Sequence, residues 1–500
     1  MSYSLANNKL LYLSLALLLF FSFFLYAFTL ETYTIIEEFS VTVRVWFGRF
    51  YLWLGLGCVL LLVLLAISRW GSKRLGTPEE RPEFSRLAWI SMLYSAGMGA
   101  GILLRAVQEP VYMKLNPPIA NGAPDATVAL EYTFYQWGLT AWAFYAVFAI
   151  AIGYYLFVRN KKALPSTAFT ALTDMITTKR VQRGVLGSID ILAILTTVFG
   201  LVAAIGLGTT QIQGGLKHLL GYEFTIGGTI AILLLISVLG ATSVLLGMQR
   251  GIKVISTWNI YITVALLLFV FVQSDIPAIA TRFGSAFYHY LVDFIPLSLA
   301  MGPYNPGEAF LTDWTYYYWA FWLAWAPFTG IFIARISRGR TLRELIIGVL
   351  LVPSLGTFFW FTVFGESAFD LIAAAGSYDG QFDNVFSSIF VFFESYPYQG
   401  LINTITVLLL VSFLVTSLDS AIFVLSMFTD KGTPEPSKRH RLLWSIILTI
   451  FSIGILLLGN AKADINVLIA MQKLLIITSL PFALLMVVMI GLFIRDFAKK

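Results

Sequence analysis

Apolar runs of about twenty residues recur along the whole chain, near 10–30, 50–69, 88–108, 130–157, 189–210, 224–248, 254–273, 314–335, 343–364, 401–428, 443–460 and 466–494. Twenty residues of helix match the roughly 30 Å hydrocarbon core of a bilayer. In lipid every backbone N–H and C=O needs an internal partner, and a continuously apolar run meets that need as a helix. The chain therefore reads as an all-α integral membrane protein with about twelve transmembrane helices. Composition agrees: 58% of residues are hydrophobic, 12% are charged, and the mean hydropathy is +0.81, against roughly a quarter charged in soluble domains. Arginines and lysines cluster in alternate loops, at Arg69 to Arg86, Arg159 to Arg183, Arg250/Lys253, Arg335 to Arg343, Lys431 to Arg441 and Arg495 to Lys500. That asymmetry places both termini in the cytoplasm by the positive-inside rule, and it explains the net charge of +6 without nucleic acid.

Several functions are disfavoured at this level. Cys58 is the one cysteine, so no disulfide framework or cysteine metal site can form. His218, His289 and His440 fall outside the evident spans, and neither Glu109 nor Asp419 has a histidine or metal-type partner nearby in sequence. An enzyme is not expected. The first apolar run is long enough to span and lacks a small-residue cleavage site, so it reads as a helix and not a leader. Residues 274–313 and 365–400 are too long for simple turns, and Ile279 to Leu299 reads as an interfacial helix.

Two segments carry the functional signal. The third run, SMLYSAGMGAGILLRAVQEP (Ser91 to Pro110), sets Gly97, Gly99 and Gly101 at mid-membrane. Either they allow close helix packing of the small-xxx-small type, or they break the helix and free carbonyls for a ligand. The eighth run, WTYYYWAFWLAWAPFTGIFIARISRGR (Trp314 to Arg340), holds four tryptophans and three consecutive tyrosines. Interfacial belts do not need so much indole at depth, whereas a quaternary ammonium, which donates no hydrogen bond, is held by ring faces. Pro327 and Gly330 are expected to interrupt this helix as the glycines interrupt the third. Two five-helix repeats follow, each opening on its broken helix: 87–273 and 314–500, with two accessory helices in 1–86 and a connection at 274–313.

These residues resemble the betaine/choline/carnitine transporter family. The matching pieces are GMGAG with Glu109-Pro110, QWGLTAWAFYAV (Gln136 to Val147), the Trp314 to Thr341 segment and FLVTSLDS (Phe413 to Ser420). The resemblance spans essentially all twelve runs. It implies a leucine-transporter-like inverted repeat, usually as a homotrimer. It also implies an aromatic box on Trp137, Trp142, Tyr145 and Trp322. At 100° per residue the first three would stand at about 0°, 140° and 80° on one helix. Phe321 stands where the family commonly has another Trp, and Trp325 and Trp319 are expected to shape the two sides of the pathway. Unwound backbone at Met98, Gly99 and Gly101 would receive the substrate carboxylate. In sodium-coupled members an ion lies at positions matching Ser95, Met98, Phe413, Thr416 and Ser417. Alternatively, Thr416 and Ser417 bond back to their own helix. Gly101 and Ile260 favour sodium over proton coupling or exchange.

Arg105 departs from the family pattern. An arginine inside a span is a functional hypothesis by default, and it either pairs with Glu109 at i,i+4 or meets a substrate carboxylate. The expected activity is sodium-coupled import of glycine betaine or a related zwitterion into the cell across the inner (plasma) membrane. The alternatives are a sodium-independent carnitine/betaine exchanger, a choline transporter and a non-transporting sensor. Only about nine residues precede the first run, so regulation through long charged tails is not expected. No cofactor is expected beyond the coupling ion.

Overall fold

Eleven helices among the described residues are long and apolar enough to cross a membrane, and the third apolar run is helical in three pieces. The computed structural model describes residues 8–97, 99–119, 125–246, 249–433, 435–462 and 465–498, and the side chains of 94–97, 174, 249–253 and 498 lie outside that description. The helices are α1 (Lys9–Ala27), α2 (Thr29–Ile67), α3 (Arg86–Gly97), α4 (Ala100–Arg105), α5 (Gln108–Leu115), α6 (Ala126–Trp137), α7 (Leu139–Gly153), α8 (Lys179–Leu220), α9 (Ile226–Leu246) and α10 (Gln249–Phe271). They continue as α11 (Ile276–Val292), α12 (Phe294–Ser298), α13 (Tyr317–Ile336), α14 (Leu342–Ala375), α15 (Ser388–Glu394), α16 (Gln399–Thr429), α17 (Lys438–Leu458) and α18 (Val467–Ala498). The protein is an all-α, multi-span membrane protein.

The helices outrun their apolar windows. The 39 residues of α2 and the 42 of α8 reach about 60 Å at 1.5 Å per residue, twice the hydrocarbon thickness. In α2 the extra turns carry Glu31, Glu37, Glu38, Arg44 and Arg49, and ion pairs such as Lys473 Nζ to Glu37 Oε1 at 3.3 Å engage some of them. The second excursion, expected at 365–400, is shorter than that, because α14 continues to Ala375 before Gly376, at φ +76°, ends it. Gly365 lies inside α14, where an added Cβ would sit 2.9 Å from Pro110. The stretch expected as an interfacial helix is helical, as α11 and α12, and α11 is fixed by Arg282, which donates to Glu366 at 3.1 Å and Thr127 at 2.9 Å.

The break expected in the third span is present. α3 stops at Gly97 and α4 starts at Ala100, with Gly99 extended at φ −110°, ψ −160°. The break expected in the eighth is not, since α13 runs unbroken through Pro327 and Gly330. Gly330 instead lets α13 press against α7, where an added Cβ would stand 2.6 Å from Phe148 Cδ1 and 3.1 Å from its Cβ. The irregular turn of this span lies earlier, a π-helical turn over Leu311–Tyr316. The second clean break belongs to the fourth span, at Gly138 between α6 and α7.

Around these breaks α13 packs most extensively on α7, with α8 and α18 beside it. Gly330→Leu is expected to overpack the α7–α13 contact by about 1–3 kcal/mol and to lower the thermal midpoint in detergent by several degrees. Pro327→Ala is expected not to lower it, because no hinge is lost.

Candidate functional site

Gly138 sits at φ −97°, ψ −135°, where a Cβ would lie 2.5 Å from both Phe134 O and Phe358 Cζ. Only glycine fits, and the helix breaks there. A break inside a membrane frees backbone groups that side chains must satisfy. Leu139 N–H donates to Tyr290 Oη at 3.0 Å, and the Gln136 carbonyl accepts from Trp322 Nε1 at 3.0 Å. The Gln136 amide donates to Thr315 Oγ1 at 3.1 Å. Two bonds from one residue thus fix the end of α6 against α13.

That pinning brings the four expected box residues into one connected set. Trp137 stands edge-on to Trp322 with ring centroids 5.2 Å apart, Tyr145 lies 6.2 Å from Trp322, and Trp142 lies 5.6 Å from Tyr145. All four are buried, none more than 7% exposed. The helical phase that seemed to gather Trp137, Trp142 and Tyr145 does not hold, because it was counted across Gly138. Trp322 on α13 joins the two pieces instead. Phe321 packs on Trp322 at 5.2 Å and continues to Trp325 at 6.1 Å, whose indole N–H donates to Gly200 O on α8 at 3.2 Å. Trp319 leaves this group: it packs edge-on against Tyr135 and Phe144, fully buried, beside Gly55 of α2.

The third span approaches the box through α4, because Gly101, expected as unwound backbone, is helical and only Gly99 is extended. A Cβ on Gly101 would lie 3.4 Å from the Trp137 ring, whereas one on Gly99 would meet nothing within 4 Å. Met98 and the side chain of Ser95 lie outside the described residues. Of the sodium set, Phe413 and Thr416 are buried and Ser417 is half-buried, on α16, which contacts α4. The Thr416 hydroxyl donates to Ser412 O at 2.9 Å and Phe413 O at 3.1 Å, the back-bonded alternative. Its oxygen lone pairs remain acceptors in that geometry. No cluster of three or more His, Cys, Asp or Glu suited to a metal occurs among the described residues.

The sequence reading missed the group that organises this region. Glu109, with 0% exposure, accepts the Trp137 indole N–H at 3.1 and 3.2 Å and the Tyr318 hydroxyl. Its partner Arg105, 4% exposed, places Nε 3.9 Å from Glu109 Oε2 and donates from Nη1 to Gln108 Oε1 at 2.7 Å. The expected i,i+4 pair is formed, and both of its members are buried. Its guanidinium lies over Trp314 at 4.7 Å and Tyr318 at 6.0 Å. Trp314, Tyr318 and Trp322, four residues apart, stack in turn at 6.3 and 6.0 Å along one face of the eighth span. That spacing was the available signal for Tyr318. Trp314 is 5% exposed and packs, tilted by 34°, on Tyr112 at 4.9 Å.

Comparison with known proteins gives one family. Residues 9–500 match the family described as BCCT, betaine/carnitine/choline family transporter. The chain is 35% identical over 459 residues to the glycine betaine transporter OpuD of Bacillus subtilis (strain 168), covering 91% of this chain and 87% of that protein. It is 32% identical to the ectoine/hydroxyectoine transporter of Virgibacillus pantothenticus, covering 91% and 89% of the two chains. It is 35% identical to the betaine/ectoine transporter LcoP of Corynebacterium glutamicum, covering 90% and 71%.

Gly138→Ala is expected to lower the thermal midpoint by several degrees, because the added methyl has no space. Gly99→Ala, with open space at that position, is expected to leave it nearly unchanged.

Proposed function

Because this chain belongs to the betaine/carnitine/choline family of transporters, we propose that it is a sodium-coupled importer of glycine betaine or a closely related zwitterionic compatible solute. It is a transporter and not an enzyme. The observation that carries the substrate class is the joining of Trp137, Trp322, Tyr145 and Trp142 into one buried ring set across α6, α7 and α13. Four ring faces attract an alkylated ammonium strongly where water is excluded, and they ask for no donor from it. Phe321 and Trp325 extend the lining toward α8. The extended backbone at Gly99 and the first turn of α4 at Gly101, which meets Trp137, would supply N–H groups for the opposite end of the ligand.

Sodium would lie between α16 and the unwound third span, on Thr416, Ser417 and the Phe413 carbonyl, with Ser95 and Met98 completing the set. Oxygen ligands of this kind hold a monovalent cation without adding a buried charge. The proposed mechanism is alternating access, with the repeat 87–273 moving against 314–500 about the midplane site. Trp137 and Trp322 contact each other edge to face, so an onium group must part them to enter, and binding is thereby coupled to movement of α13 against α6. The proposal places the protein in the plasma membrane with both termini cytoplasmic, as a homotrimer.

In proteoliposomes, uptake of labelled glycine betaine is expected with an inward sodium gradient and is expected to fall at least tenfold when choline-free potassium replaces sodium. Trp322→Leu and Trp137→Leu are expected to abolish uptake while folded protein persists on size-exclusion chromatography. Uptake retained by both variants would rule out the box, and uptake indifferent to sodium would favour the exchanger. Thr416→Val is expected to raise the sodium concentration for half-maximal uptake about tenfold.

A further inference from the structure

The aromatic stripe of the eighth span already holds a cation of the protein's own. Arg105 lies over Trp314 and Tyr318, while the proposed onium box begins at Trp322 and Trp137, one step along the same stripe. Tyr318 is shared, stacking toward both and hydrogen bonded to Glu109, and Trp137 is shared through its indole bond to the same carboxylate. The site is therefore bordered by a buried dipole, with Arg105 positive and Glu109 negative, of zero net charge.

We propose, resting on the box as the substrate site, that the Arg105–Glu109 pair is a charge filter. It makes the transporter accept a net-neutral zwitterion and reject a plain cation. The electrostatics follow from the arrangement. A zwitterion laid antiparallel to the pair sets its carboxylate against the guanidinium and its onium toward Trp137, whose indole N–H is bound to Glu109, and the buried sum stays zero. A choline-like cation leaves one uncompensated charge beside Arg105 in a region of low dielectric, where like charges repel strongly. A guanidinium has five N–H donors, and among the described residues only its bond to Gln108 is formed. Donors for a ligand carboxylate remain.

Glu109 acts as a positioning residue here, since it orients Trp137 and Tyr318 and fixes Arg105 without needing to touch the ligand.

Intrinsic tryptophan fluorescence titrations of the purified transporter with glycine betaine and choline, in sodium, test this. The intact protein is expected to prefer glycine betaine at least tenfold over choline. Arg105→Met is expected to weaken glycine betaine at least tenfold and to erase its preference over choline, with Arg105→Lys keeping part of the preference. Should Arg105→Met unfold because Glu109 is left unpaired, Arg105→Met/Glu109→Gln removes both charges and carries the same expectation. A preference over choline unchanged in a folded charge-free variant overturns the filter and leaves the box standing. Trp322→Leu titrating like the intact protein overturns the box, and the filter with it.

Discussion

A carboxylate buried in the middle of a helical bundle has to be fully answered, and Glu109 is answered from three directions. Its oxygens take the indole N–H at the end of α6, the phenol of α13 and the charge of Arg105 on α4. Removing any one leaves a charge underpaired where water cannot compensate, a cost of several kcal/mol. That requirement fixes the second half of the third span against the fourth and eighth in one register. The aromatic box inherits its geometry from this register, because Trp137 and the Tyr318–Trp322 stack are attached to the same carboxylate.

The two helix breaks obey the same logic. Each exposes backbone polar groups at a depth where lipid offers nothing. At Gly138 the exposed groups are taken by Tyr290 and by Trp322, so the break is also a weld between α7, α11 and α13. A residue that looks like pure aromatic lining therefore carries a structural bond through its edge and offers its face to a ligand.

Much of this was legible in the sequence, and the gaps have physical reasons. Apolar runs and basic loops mark the spans, because lipid imposes a composition on the helix it surrounds. They do not mark helix ends: charged turns such as Glu31 to Arg49 can stay helical when paired outside the hydrocarbon. Three glycines in five residues announced the break at Gly99. One glycine at 138 could not, since its need comes from Phe358, 220 positions away in the chain. Pro327 and Gly330 misled in the opposite direction, because a glycine that admits Phe148 and a glycine that ends a helix look alike in sequence. Trp137, Trp142, Tyr145 and Trp322 were found by their resemblance to a family motif. Glu109 was set aside because its partners, at 137 and 318, are remote in sequence.

The third span is held at both ends by the eighth, yet through unconnected halves. Its outer half is bound through Glu109 to Tyr318. Its inner half is bound at the basic end, where Trp89 Nε1 donates to Ser337 Oγ at 3.0 Å and Arg340, 1% exposed, lies 4.2 Å over Trp89 while donating to Phe84 O at 2.7 Å. Leu75 and the 339–340 backbone add a short bridge to the same corner. The arginines that end the aromatic stretch thus do more than mark a membrane boundary. Between the two anchorages lies the extended backbone at Gly99, where the ladder of α3 has ended and that of α4 begins. A continuous helix would force both anchorages to move together when α13 shifts. The interrupted one joins the two anchorages by a non-helical link, so neither sets the orientation of the other through a rigid rod.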